Sequence, residues 1–386
     1  MDLLKSRKRS LANDPLLKPA LQALLKRADK LLIDENVSVT QKSEFACSVA
    51  GDPHFYVSLS SYYWPDEADG SAPWVYKDGE YNRVGIAQYD FLKWEIMSNR
   101  VNTFTLAWWC TNKPEYALAA IEQIRTWFLD PKTFMLPNLD YAQTIPNKVK
   151  GSNAGIIDLN QIDQLVNSFG LIEKSPYWTY EDSINLKKWC KDMVNWLLVS
   201  EAGKRERSSS NNHGIYYDKI LASFASYAGD RMLVTEILNL FCQKRVFLQI
   251  EPSGEMPHEM KRADAHHYLI WTLNGLISMA MIGENFEIDL WHETSSDGRS
   301  IKGAIEWSTG FINGSKDWPY PAKFNPTFVR FVDIFWRTSR IFGESHQLIL
   351  DKYIFPQQAP NSVQSNILNI TFPRHDSLNN LDVECR

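Results

Sequence analysis

Two stretches of the sequence gather amide, imidazole and charged side chains just ahead of apolar helical runs. The first is Ser208-Ser209-Ser210-Asn211-Asn212-His213-Gly214, followed by the periodic residues 215–227. Ser and Asn are natural N-caps, and a helix start turns its unsatisfied N–H groups and positive dipole end toward whatever lies ahead. An anionic ligand is favoured there. Capping by Asn211 and Asn212, with a surface His213, would account for the same residues. The second stretch is Glu255-Met256-Pro257-His258-Glu259-Met260-Lys261-Arg262-Ala263-Asp264-Ala265-His266-His267-Tyr268. Its His258-Glu259 pair lacks the second His of a zinc-protease motif, because Arg262 stands in that place. His213, His266 and His267 do not suggest a metal site either, since adjacent side chains on a helix diverge. A third stretch runs from Trp127 through Asp140-Tyr141-Ala142-Gln143 to Gly155-Ile156-Ile157-Asp158 and places polar and aromatic residues after a helix end. Sugar contact and simple packing are both open there. GxSxG, P-loop and GxGxxG patterns are absent, which removes the commonest hydrolase and nucleotide readings based on motifs.

Asn, His, Arg and Tyr together suit β-elimination in a uronic-acid polysaccharide. The C5 proton beside the sugar carboxylate is weakly acidic, and a base removes it only once that carboxylate is neutralised. Arg and Asn donors, backed by a helix N-terminus, stabilise the enolate-like intermediate. A tyrosine, with an ordinary pKa near ~10, acts as a base when neighbouring cations such as Arg262 and a His lower it. Protonation of the departing O4 then needs a phenol or imidazole within hydrogen-bond reach.

The elements that must position these groups read as amphipathic helices at 16–32, 114–128, 180–199, 212–227, 232–247, 266–282 and 326–341, punctuated by Pro, Gly and Asn. No βαβ alternation or series of short strands appears, so the expected class is all-α, a serial array of helical hairpins that suits a toroid. Residues 1–355 carry no linker and are expected to form one domain, with 356–386 a packed tail holding a short β-like run at 367–372. The long stretch 51–85, with His54, Tyr62, Tyr63, Trp64 and Trp74, is a candidate wall or lid. Aromatic residues make up 13% of the 386, which fits a packed helical core or a carbohydrate groove without choosing between them. The net charge of −5 excludes a generally basic nucleic-acid binder. Lys148, Lys150, Lys204, Arg205, Arg207, Lys261 and Arg262 offer local positive charge for a polyanion. No apolar run approaches the ~18 residues that span a bilayer, so a soluble protein without a membrane partner is expected. The basic start has no apolar run behind it, so no secretory signal is visible. Five scattered cysteines without a CxxC pair argue against a disulfide framework or zinc ribbon and fit buried, inert thiols.

With these segments in view, the chain resembles the alginate lyase superfamily of polysaccharide lyases. The matching pieces are Ser61-Tyr62-Tyr63-Trp64-Pro65-Asp66 with Asp78-Gly79-Glu80, Trp127 to Gln143 with Gly155-Ile156-Ile157-Asp158, Asn211-Asn212-His213-Gly214 with Tyr217-Asp218, and Arg262 with His267-Tyr268. They occur in the family's order over roughly residues 50–285. The step from Arg262 to Tyr268 is most similar to polysaccharide lyase family 38. The resemblance implies an (α/α) toroid of six to seven hairpins, β-elimination without a metal or other cofactor, and a Tyr/His pair. It places the catalytic roles on Asn212, His213, Arg262 and Tyr268, and substrate contacts on His267, Gln143, Asn211, Tyr62 and Trp64. It also implies an anionic polysaccharide substrate, alginate or glucuronan, and a periplasmic or secreted location after removal of a leader. Tyr63, where many relatives carry a second Trp, and His266, where an aromatic often stands, depart from the pattern. A non-catalytic glycan binder is a further alternative. A hydrolase would need two facing carboxylates, for which Asp158, Asp218 and Glu259 are available but not paired by any motif.

Overall fold

A computed structural model describes residues 8, 11, 17–323 and 325–357. The expected strand at 367–372 and Cys385 lie outside the described residues, as does most of the expected tail. Helices dominate, as expected of an all-α chain, and the described residues form two compact units. The central unit comprises Leu31–Trp108 and Lys113–Phe241, and the C-terminal unit comprises the described parts of Met1–Lys30, Trp109–Asn112 and Cys242–Arg386. Among the described residues no helix is long and apolar enough to cross a membrane. Cys47, Cys110, Cys190 and Cys242 are free thiols; Cys190 and Cys242 are buried, whereas Cys47 and Cys110 are only half-buried.

In the central unit the helix Asn212–Ala228 is buried on nearly every side and packs against Ile162–Ile172, Tyr180–Val199, Glu201–Arg207 and Arg231–Phe241. Asn211 caps its start by accepting from the His213 N–H, and Gly229, at φ 88°, ends it in the left-handed conformation that glycine adopts without strain. Pro114 opens the helix Pro114–Phe128. Thr179 and Asp182 form a capping box on Tyr180–Val199, and Arg125 grips the same Asp182 through two bonds of 2.9 and 2.7 Å. Between these helices Trp94, Trp127, Phe128, Phe169, Trp189 and Phe224 meet edge-on or tilted, with centroids 4.8–6.4 Å apart along the chain of contacts. Much of the aromatic excess is therefore core, where such pairs add ~0.5–1.5 kcal/mol beyond area burial.

The stretch 51–85 is not structureless. Val57–Leu59 pairs in parallel with Tyr141–Thr144, and Tyr63–Trp64 pairs antiparallel with Val75–Tyr76. The start of the first strand is held by a buried ion pair: Lys42 Nζ lies 3.2 Å from Asp90 Oδ2, which also accepts from the Val57 N–H at 2.9 Å. Removing one partner of such a pair leaves a buried charge and costs about 3–5 kcal/mol.

In the C-terminal unit the helix Ala265–Asn285 packs against Pro257–Met260, Ile301–Ile312 and Val332–Phe342. The run expected at 232–247 is α-helical only through Arg231–Phe241, after which Cys242–Val246 widens into a π turn. The run expected at 326–341 begins later, as a 3-10 turn Phe328–Phe331 leading into Val332–Phe342, because Thr327 is extended.

His346 is sealed between Phe335 and Phe342, with ring centroids 5.1 and 4.9 Å away. Thr338 spends its only hydroxyl hydrogen on the Ile334 carbonyl, so it accepts from His346 Nδ1–H at 2.7 Å, and Nε2 is buried without a partner. Burial, aided by Lys302, pushes the imidazole down to about 4. A base whose folded pKa is depressed stabilises the fold above its unfolded value near ~6.5 and loses that contribution as pH falls toward the folded value. Wild-type protein should therefore lose on the order of 2–3 kcal/mol from this group over that interval. A His346→Gln protein lacks the loss, so chemical denaturation from pH 7 to 4 should show the wild-type advantage shrinking. A constant difference would contradict it.

Candidate active site

The first group of site residues is built on the short helix Glu201–Arg207 and the start of Asn212–Ala228. Gly203 is required there, because a Cβ would lie 1.9 Å from the Leu197 carbonyl oxygen. This close turn brings Glu206, 1% exposed, beneath His213. Glu206 Oε1 lies 2.5 Å from His213 Nδ1, and Asn153 Nδ2 donates to Oε2 at 2.7 Å. A carboxylate only accepts, so Nδ1 carries the hydrogen and Nε2 keeps its lone pair. Asn212 beside it is fully buried. His213 is thus no loose surface residue, and Asn211 is its cap.

The second group surrounds Gln143. Val57 faces Tyr141 and Leu59 faces Thr144, so one extra residue is accommodated between Tyr141 and Thr144. That irregularity contains Gln143 at φ 48°, a left-handed conformation that costs a non-glycine residue about 1 kcal/mol or more. The Gln143 N–H donates to Ser58 Oγ at 2.7 Å, and its Nε2 donates to Asp158 Oδ1 at 2.9 Å. Ser58 Oγ and Tyr56 OH both donate to Asp158 Oδ2, at 2.5 and 3.2 Å. Burial pushes the Asp158 carboxyl up to about 6, against the three side-chain hydrogen bonds that hold it down. Gly155 lets this segment approach the strand, since its Cβ would stand 2.4 Å from that of Ala142. The 3-10 helix Asn153–Leu159 thereby joins the two groups, holding Glu206 through Asn153 and Gln143 through Asp158.

Tyr62 and Trp64 belong to the aromatic hairpin of the same unit. Tyr62 meets Tyr81 and Tyr76 edge-on at 5.5 and 6.2 Å, and Trp64 donates from its indole to the Glu80 carbonyl at 3.0 Å. Lys77 lies over Trp64 and Lys148 over Tyr63, at 5.7 and 5.6 Å, which puts ammonium charge beside rings of the kind that stack on sugars.

Arg262, His267 and Tyr268 lie in the C-terminal unit. Asp264 caps the helix that carries the last two. Arg262 Nη2 donates to the Tyr268 oxygen at 2.6 Å, and its guanidinium carbon sits 3.7 Å from the centre of the same ring. His267 stacks on Trp271, and its Nδ1 accepts from Arg330 Nη2 at 3.0 Å, which leaves Nε2–H as a donor. Burial and the Arg330 charge lower the His267 pKa, so the ring stays neutral. His266 is instead packed among Trp318, Phe328 and Phe331 and is pushed down to about 4 by burial. It serves the core.

Sequence reasoning did not single out Glu206 or Arg330. Glu206 stands seven residues before His213 in the strongly charged run Glu201-Ala202-Gly203-Lys204-Arg205-Glu206-Arg207, where the neighbouring glycine was the available signal. Asp158, considered above as a hydrolytic carboxylate, is engaged with Tyr56, Ser58 and Gln143. Among the described residues no group of three or more His, Cys, Asp or Glu is arranged to hold a metal ion.

The model of the family described as alginate lyase matches residues 38–318. Among solved structures, an alginate lyase from Bacteroides ovatus is similar over 95% of this chain and 97% of its own, at 33% identity and a TM-score of 0.89. Alginate lyase A1-III from Sphingomonas species A1 shares the fold over 94% of this chain and 100% of its own, at 14% identity and a TM-score of 0.56. A histidine-to-alanine form of A1-III complexed with tetrasaccharide matches over 92% and 96%, at 15% identity and a TM-score of 0.56. No curated protein matches. These likenesses fit the (α/α) toroid class expected from the sequence.

Proposed function

The chain belongs to the alginate lyase family and is a polysaccharide lyase, and on that premise we propose that it cleaves the 1,4 linkage of alginate by β-elimination. The product carries a 4,5-unsaturated uronate at the new non-reducing end. The observation that carries this reading is the Arg262–Tyr268 pair, a guanidinium N–H 2.6 Å from the phenol oxygen and stacked on its ring. A fixed positive charge at that distance favours negative charge on the oxygen, as a phenol that moves protons requires. The six-residue step between the two also supports placement in polysaccharide lyase family 38.

In this mechanism Asn212 and Arg262 hold and neutralise the carboxylate of the sugar being cleaved. Tyr268 removes the C5 proton and returns one to O4 when both lie on the same face, as in mannuronate. For guluronate, where they lie on opposite faces, His213 is the base. The Glu206 hydrogen bond supports that role, because it fixes the tautomer whose Nε2 lone pair is available and stabilises the imidazolium formed on proton uptake. His267, Gln143 and Asn211 contact the sugars, and Tyr62 and Trp64 stack on them. Neutralisation by Arg and Asn makes a metal ion unnecessary. Glucuronan presents the same-face geometry and is the alternative substrate.

The division of labour is tested with His213→Ala on polymannuronate and polyguluronate, read by the ultraviolet absorbance of the unsaturated product. Loss of a general base lowers rates by about 10²–10⁴-fold, so activity on polyguluronate should fall by at least ~100-fold, with a much smaller effect on polymannuronate. Equal losses on both polymers would remove His213 as the base.

A further inference from the structure

We propose that Asp158 is a positioning residue that locks Gln143 at the irregularity in its strand so that the Gln143 carboxamide meets a sugar hydroxyl. The inference rests on the reading of Gln143 as a substrate contact. Asp158 is only 5% exposed and its carboxylate faces Tyr56, Ser58 and Gln143, so it acts through them.

Gln143 adopts a left-handed backbone without being glycine, and such a conformation persists only where the surroundings over-determine it. Here two fixed points do so. The Ser58 hydroxyl gives its hydrogen to Asp158 and is therefore obliged to accept from the Gln143 N–H. The carboxylate can only accept, so it also dictates which end of the Gln143 amide points inward: Nε2 faces Asp158. The amide oxygen is left without a protein partner among the described residues, beside one remaining N–H. An acceptor and a donor side by side match a hydroxyl, which gives one hydrogen bond and takes another, whereas a sugar carboxylate would use the N–H alone. Replacing Asp158 with its amide isostere puts an NH₂ group among three donors, so at least one bond to Gln143 or its support is lost or reversed.

A double-mutant cycle on the full chain tests this with polymannuronate, kcat/KM being read from the ultraviolet absorbance of the product. Gln143→Ala and Asp158→Asn should each lower kcat/KM about tenfold, the worth of one hydrogen bond near ~1.4 kcal/mol, chiefly through KM. In the Gln143→Ala background, Asp158→Asn should add less than a twofold further loss, because its target is gone. A purely structural Asp158 would give losses that multiply, and that outcome overturns the proposal. So does a silent Asp158→Asn beside an impaired Gln143→Ala. A silent Gln143→Ala instead overturns the substrate-contact reading itself. If Asp158→Asn does not fold, Ser58→Ala, which frees the Gln143 N–H but keeps the carboxylate, enters the same cycle with the same expectations.

Discussion

A Tyr268→Phe protein should keep its fold and lose at least ~10³-fold in kcat on polymannuronate, because one phenol both removes the C5 proton and protonates O4 in the proposed mechanism. The ring is 7% exposed and stacked under Arg262, so phenylalanine preserves its packing and deletes only the oxygen. Substrate affinity should change little, since the hydroxyl contributes in the transition state rather than in binding. Circular dichroism and thermal unfolding establish the fold, and product absorbance establishes the rate. A variant that works at the parental rate would remove Tyr268 from the chemistry.

Arg262→Ala carries the other large effect. It deletes the charge proposed to neutralise the sugar carboxylate and the N–H donor on the phenol at the same time. Loss of one preorganised donor to a developing charge costs about 10²–10³-fold in kcat, and the lost ground-state contact to the carboxylate should raise KM as well. Arg262→Lys should recover only part of the loss, because an ammonium cannot both stack on the Tyr268 ring and donate in a planar fork. Full recovery by lysine would show that charge alone matters there and that the stacked geometry does not.

The parts of this fold that were legible in the sequence are those written in local chemistry. Helix Pro114–Phe128 begins at its proline, and Tyr180–Val199 begins after the Thr179/Asp182 capping box, both where the residues indicate. Helix Phe91–Thr111 escaped notice because its buried residues, among them Trp94, Ser98, Arg100, Thr103 and Trp108, encircle it and leave no single stripe. The two strand pairs were equally hidden, because strands of two to four residues with partners up to 85 positions away carry too little periodicity to read. The site divides in the same way. Asn212-His213 and Arg262 with His267-Tyr268 stand out as polar residues at helix starts. Glu206 and Arg330, which touch His213 and His267, are read by charge patterning alone as solvated surface, and Asn153, which holds Glu206, is brought to it by folding from 53 positions away.

The most direct test of the account is to treat polymannuronate and polyguluronate with the wild-type protein and follow ultraviolet absorbance and reducing ends together. β-Elimination predicts that both rise in step, one double bond for each chain cut. Reducing ends without absorbance would mean hydrolysis, and a mobility shift with neither signal would mean a protein that only binds the glycan. Either result would contradict the account.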